Sequence, residues 1–211
     1  ALRSQKFSPL RQHSEMERLA KTFPPVVDFQ AVVIPDSGRQ IGLIAPALAF
    51  EDVVLTHDAK LLERLKKANG KESRPVTLMG ASTWNSAQTL DSCETYCEDA
   101  VFVDAFFPNS TDAKVRDFIA AFRDSTGGAE PYLSEALAFD TTGLMLTTLA
   151  KSRPKSRDSL RDALLGSPAY HGVSGSWSFD ANGEVSKDLF VLTIKEHTIK
   201  LYEPPSEVPR G

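Results

Sequence analysis

Few residues of this 211-residue chain stand at spacings that make covalent chemistry. Ser152 and Lys155 match the S-x-x-K spacing, in which a lysine reaches a nucleophilic serine one helical turn earlier. Pro154 breaks the turn that this spacing needs, no K-T-G or S-D-N element accompanies it, and Lys151, Arg153, Lys155, Arg157 and Arg161 read as a solvated basic stretch. His13, His57, His171 and His197 fall in separate elements with no i, i+4 or H-x-H pairing, so they make no metal site. Phosphate-binding loops are missing as well: no G-x-G-x-x-G follows a strand, and Gly70-Lys71 continues with Glu72 where Ser or Thr is needed.

Three further groups have chemical readings beside plainer ones. Cys93 and Cys97 lie one helical turn apart, a spacing at which a disulfide is possible but tight. Glu94, Glu98 and Asp99 would raise the thiol pKa, which argues against a redox role. Asp180-Ala-Asn182-Gly183-Glu184 resembles the start of a calcium loop, yet it lacks the third oxygen ligand and the closing glutamate, so a hairpin turn of type I′ at Asn182-Gly183 is expected. Asn109-Ser110-Thr111 is formally a glycosylation sequon and equally a helix cap.

The elements that carry these residues follow from pattern. Leu10, Met16, Leu19 and Ala20 suggest a leading helix stopped by Pro24 and Pro25. Residues 26–34 (VVDFQAVVI) read as a strand, Pro35-Asp36-Ser37-Gly38 as a turn, and the apolar run to Phe50 as a helix. A helix over 58–68, a strand over 76–79, a helix over 84–94 and a strand over 100–107 follow, and this alternation predicts a parallel, doubly wound sheet. Three successive helices come next, over 110–126, 131–152 and 156–165, with no strand between them. The final forty residues turn to period two, with hairpins about Asn182-Gly183 and between 189–194 and 198–202, then a Pro204, Pro205 and Pro209 tail.

Composition sets outer bounds. With 41% hydrophobic and 25% charged residues the chain is an ordinary globular sequence, and a formal charge of −4 argues against a nucleic acid partner. The longest apolar run, 41–50, is about half of a bilayer crossing, so no transmembrane segment is expected. The first residue is Ala1 and no signal core follows it, which implies processing or an upstream region that included the true start.

Six fragments in order, VDFQAVVIPDS, GLIAPALAFEDV, VTLMGASTWN, AVFVDAFFPNS, EALAFDTTGLML and GVSGSWSFDANGEV, resemble the later portion of type I periplasmic binding proteins of the leucine/isoleucine/valine-binding kind. The closer resemblance is to penicillin-binding-protein activator lipoproteins of Gram-negative bacteria. It implies an α/β fold of doubly wound lobes joined by crossovers, with the first lobe incomplete in this chain: residues 1–104 in the second lobe behind a leading helix, 105–175 in part of the first, and 176–211 returning to the second as closing hairpins. Residues 105–109 resemble the second crossover and 172–179 the third.

The same resemblance implies a periplasmic, non-enzymatic protein without a cofactor, with room for a lipid anchor in the missing upstream region. Its main expected role is a regulator or sensor of peptidoglycan synthesis that contacts a cell-wall synthase; the alternative is the substrate-binding receptor of an ABC transporter permease. The ligand would be an amino acid, a sugar or a peptidoglycan fragment. Two loops match cleft-facing positions, Pro35-Asp36-Ser37 and Ser82-Thr83-Trp84, both following strand carboxyl ends. Gly80-Ala81-Ser82 lacks the acid that pairs with an amino acid's ammonium in this family, Asp36 could replace it, and Trp84 could stack on a sugar or an apolar ligand. The plainer roles are a helix cap for Asp36 and core packing for Trp84. An enzyme reading would rest on Ser82 and Asp36 alone, with no histidine to join them.

Overall fold

A computed structural model describes residues 14, 18, 27–51, 53–55, 59–69 and 74–204. Leu10, Met16, Leu19 and Ala20, which define the predicted leading helix, lie outside the described residues, as do His13, His57, Gly70-Lys71 and the tail beyond Pro204.

The first body is a five-stranded sheet in the order β1 (Ala31–Val33), β2 (Thr77–Gly80), β3 (Val101–Asp104), β7 (Phe190–Lys195), β8 (Thr198–Leu201). β1, β2 and β3 run parallel, while β7 and β8 join as an antiparallel hairpin, so the sheet is mixed rather than wholly parallel. β1 is shorter than the apolar run 26–34, although Gln30 and Ile34 extend its ladder through Thr77 N–H to Gln30 carbonyl (2.9 Å) and Ile34 N–H to Met79 carbonyl (2.8 Å). Period-two alternation places Leu78, Phe102, Leu192, Ile194 and Ile199 in a core with Ile41 and Ala45 of helix α1 (Gly38–Phe50). α2 (Ala59–Asn69) precedes β2.

The predicted helix over 84–94 is divided. Ser82–Trp84 is a 3-10 turn, α3 (Ala87–Cys93) starts at its own N-cap Ser86, and a second 3-10 turn spans Glu94–Cys97. Ser86 Oγ accepts from Thr89 N–H, and the competing cap is what splits the segment. α1 and α3 pack closely because Gly38 and Gly42 face Thr89 and Ser92. Cys93 and Cys97 are bonded to each other, with Cα atoms 5.6 Å apart, and both are buried in this core.

After β3 the chain leaves the sheet through Ala105, Phe106 and Phe107 and builds a helical body. α4 (Ala113–Thr126) is capped by Asp112, whose carboxylate accepts from Lys114 N–H at 2.8 Å, and ends at Gly127 with φ 73°. Asn109 does not serve as that cap: its side-chain amide donates to the Ile199 carbonyl at 3.2 Å. α5 (Leu133–Ser152) and α6 (Arg157–Leu165) follow, the latter capped by Ser156, whose hydroxyl accepts from Ser159 N–H. Phe106, Phe118, Ile119, Ala136 and Val173 form this body's own core.

The hairpins differ from expectation in two respects. β5 (Gly175–Phe179) and β6 (Val185–Lys187) do not return to the large sheet; they pair with β4 (Tyr170–Gly172) in a separate three-stranded sheet. The return passage therefore lies at Asp188 and Leu189, between β6 and β7, and not within 172–179. Asp180 is the reason that Asn182-Gly183 forms no two-residue turn: its carboxylate accepts from Asn182 and Glu184 N–H at 2.9 and 2.8 Å, which opens a longer loop. The two-residue turn with both φ positive is Glu196-His197, at 54° and 56°, between β7 and β8.

Candidate ligand-binding site

Three parallel strands end side by side, and the residues just past their carboxyl ends form the wall where the chain passes from the sheet body to the helical body. Past β1, Pro35 turns the chain so that Asp36 N–H donates to the Ile34 carbonyl at 2.9 Å. Asp36 Oδ1 accepts from Ser37 N–H at 2.6 Å, and Ser37, rather than Asp36, caps α1 by accepting from Gln40 N–H at 3.3 Å. The Asp36 side chain is exposed, and its Oδ2 accepts no hydrogen bond among the described residues.

The two predicted cleft loops touch. Thr83 Oγ1 donates to the Asp36 carbonyl at 2.6 Å and Trp84 Nε1 donates to the same oxygen at 2.9 Å, although 47 and 48 residues separate the partners. Pro35, Asp36, Ser37, Ser82 and Thr83 thus form one continuous wall, with the Ser82 hydroxyl unengaged among the described residues. Trp84 takes the other direction. At 0% exposure it lies over Gly80, where any Cβ would collide with its ring, and packs on Phe102 with ring centroids 6.2 Å apart. A ring so enclosed offers no face to a ligand, so its expected stacking role is replaced by a core role; its N–H fixes the loop.

Sequence reasoning did not single out Asn85 and Asp104, the next residues along this wall. Asp104 closes β3 with 3% exposure. Its Oδ1 accepts from Ala105 and Phe106 N–H at 2.6 and 3.3 Å, and its Oδ2 accepts from Asn85 Nδ2 at 2.7 Å. Burial raises its carboxyl above the usual 3.8, while the Asn85, Ala105 and Phe106 donors pull it down again. The available signal was a lone acid ending an apolar strand run, which in a buried setting needs donors nearby.

The arrangement is suited to holding a solute, with acceptor oxygens at Asp36, Ser82 and Thr83 on a wall backed by packed core. No group of three or more His, Cys, Asp or Glu able to hold a metal occurs among the described residues. A separate cavity of about 320 Å³ lies between α5 and the segment entering β4, lined by Leu144, Thr148, Lys151, Ser167, Tyr170 and His171 among others; it contains none of the strand-end residues. No helix among the described residues is long and apolar enough to cross a membrane.

A mixed sheet with three parallel strands, whose chain crosses to a second body beside a polar wall at the strand ends, matches a two-lobed solute-binding fold of type I. The family model for periplasmic binding proteins matches residues 53–198, and the chain belongs to that family. Solved structures with the same fold include the leucine-binding protein LivK of Thermotoga maritima (17% identity, TM-score 0.57, 90% of this chain and 47% of that one). LivJ of Streptococcus pneumoniae, solved with isoleucine, aligns at 21% identity and TM-score 0.57 over 87% of this chain and 46% of its own. A Rhodospirillum rubrum protein described as a branched-chain amino acid ABC transporter aligns at 26% identity and TM-score 0.56 over 80% and 50%. The chain spans about half the length of these proteins. No curated protein matches it.

Proposed function

We propose that this chain contributes the second lobe and part of the first to a periplasmic solute receptor for an ABC transporter, and that Asp36, Ser37, Ser82 and Thr83 are its share of the ligand contacts. The observation that carries the reading is the Thr83 and Trp84 bonding to the Asp36 carbonyl, which turns two distant loops into one wall at the strand ends. The amino-acid receptors among its structural neighbours support the solute class. The side-chain oxygens of the wall all accept, and because the Thr83 hydroxyl gives its hydrogen to the Asp36 carbonyl, among these side chains the hydroxyls of Ser37 and Ser82 are left to donate. The ligand is accordingly a small solute rich in donors, either an amino acid presenting its ammonium to Asp36 or a sugar presenting hydroxyls.

Calorimetric titration with amino acids, monosaccharides and muropeptides tests this. A ligand should appear, and Asp36→Ala should weaken it about 10- to 100-fold, the size of a lost charge-assisted hydrogen bond. Equal affinity of the variant removes Asp36 from the site.

The absence of an acid at Gly80-Ala81-Ser82 favours a second reading, an envelope regulator of the penicillin-binding-protein activator type that acts through contact with a cell-wall synthase. It predicts no binding across the titration panel, together with faster glycan polymerisation by a purified synthase when the protein is added.

A further inference from the structure

Asn85 occupies the point at which the ligand wall, the sheet body and the passage to the helical body meet. Its Nδ2 donates one hydrogen to Asp104 Oδ2 at 2.7 Å and the other to the Phe106 carbonyl at 2.7 Å. Both acceptors are oxygens, so the amide has one possible orientation and its nitrogen has no hydrogen left over. Asp104 ends β3, whereas Phe106 belongs to the passage and places its ring in the helical core, edge-on to Phe118 at 6.0 Å. This NH2 group therefore ties the sheet to the segment that must rotate if the bodies move relative to one another, alongside the Phe106 N–H bond to Asp104 Oδ1 and the Asn109 bond to the Ile199 carbonyl.

Asn85 is also rigidly joined to the ligand wall. Its N–H donates to the Ser82 carbonyl at 3.0 Å and Ser86 N–H to the Trp84 carbonyl at 2.9 Å, so residues 82–86 form consecutive tight turns with little slack. Trp84, wholly buried between Gly80 and Phe102, keeps that loop from deforming locally. The loop therefore joins Thr83 to Asn85 through short hydrogen-bonded turns held against a buried ring.

We infer that Asn85 is a positioning residue that couples the strand-end wall, through the loop 82–86, to the angle between the sheet body and the helical body. The inference rests on the solute-receptor reading only for what pushes on the wall; the mechanical link itself is present without a solute. The side chain's length and donors are both required. Asn85→Asp would leave no hydrogen to give and would set a like charge against Asp104, and Asn85→Ala would leave the Phe106 carbonyl and Asp104 Oδ2 without their shared donor.

A double-mutant cycle on the solute-free protein tests the link. Spin labels on cysteines replacing the exposed Ala47 of α1 and Ala121 of α4 report the distance distribution between the bodies. Thr83→Val removes the hydroxyl bond to Asp36 and should shift and broaden that distribution. Asn85→Ala should do so more strongly, and Thr83→Val should add nothing in the Asn85→Ala background, because the path is already cut. Independent, additive effects overturn the inference. So does an unchanged distribution in Thr83→Val alone, an exposed and nearly isosteric change that keeps the test available should Asn85→Ala fail to fold. None of these outcomes depends on whether a titrated solute binds, so failure of the receptor reading is scored separately.

Discussion

Asp104 and Asp140 are both carboxylates almost entirely out of water, at 3% and 1% exposure, and they are satisfied by different partners. Asp140, on α5, accepts from Val173 and Ser174 N–H at 2.8 Å each and from the Ser174 hydroxyl, which in turn accepts from Lys187 Nζ at 2.8 Å. Gly172 has no side chain because one would collide with this carboxylate. Asp140→Ala would strand these donors in the core and leave Lys187 without its counter-charge, and urea unfolding should show a loss of about 3–5 kcal/mol. Asp104 has only neutral donors, and its effect is on pH dependence. Between pH 3.8 and its raised folded value, the folded protein holds a proton that the unfolded chain has released, so stability falls as pH rises through that window. The difference in unfolding free energy between wild type and Asp104→Asn, followed over pH, should decline across the window and be flat on either side; a flat difference throughout contradicts the burial argument.

Among the elements, the α1–α3 contact is the most sterically constrained. Alanine favours a helix over glycine by up to about 1 kcal/mol, which by itself makes Gly42→Ala stabilising. The new Cβ would lie 2.6 Å from Ser92 Cβ and 2.7 Å from the Ser92 carbonyl oxygen, a backbone atom that cannot rotate away. The clash wins, and thermal unfolding should report a net loss of about 1–3 kcal/mol. At the far end of α3, the Cys93–Cys97 bond closes a very short loop, so the chain-entropy gain is small. Replacing both by Ala should cost about 2 kcal/mol, read as a lower denaturant midpoint that reductant no longer changes. Period and cap signals made most of these elements legible: α1, α4 and α6 start within a few residues of the predicted points. The split near Trp84 was not legible, because choosing between a continuous helix and a second cap at Ser86 depends on Trp84 being drawn into the core by the Asp36 carbonyl, 48 residues away.

For the molecule as a whole, neighbouring residues of one passage belong to different cores. Phe106 is buried with Phe118 and Val173 in the helical body, and Phe107 is buried in the sheet body against Phe190, with ring centroids 6.0 Å apart. Truncating either ring to Ala should cost about 3–5 kcal/mol. Hydrogen exchange should locate the two losses differently: Phe106→Ala should raise exchange in α4 and α5, and Phe107→Ala in β3 and β7. Identical exchange patterns would mean that the two bodies unfold as one unit.

The order of alternating and then consecutive elements was readable in the sequence alone, because periodicity, caps and turn residues act over a few positions, whereas the exit near 105 and the cleft loops were read from the family resemblance. Which hairpin belongs to which sheet was settled only in three dimensions. β6 has three residues and ends only two residues before β7, and its local pattern does not say whether it pairs with β5 in a separate sheet or joins β7 in the large one. The same holds for Trp84 and Asn85. A side chain's role as ligand wall, core or pivot is decided by the partners that surround it, and here those partners come from segments up to 48 residues distant.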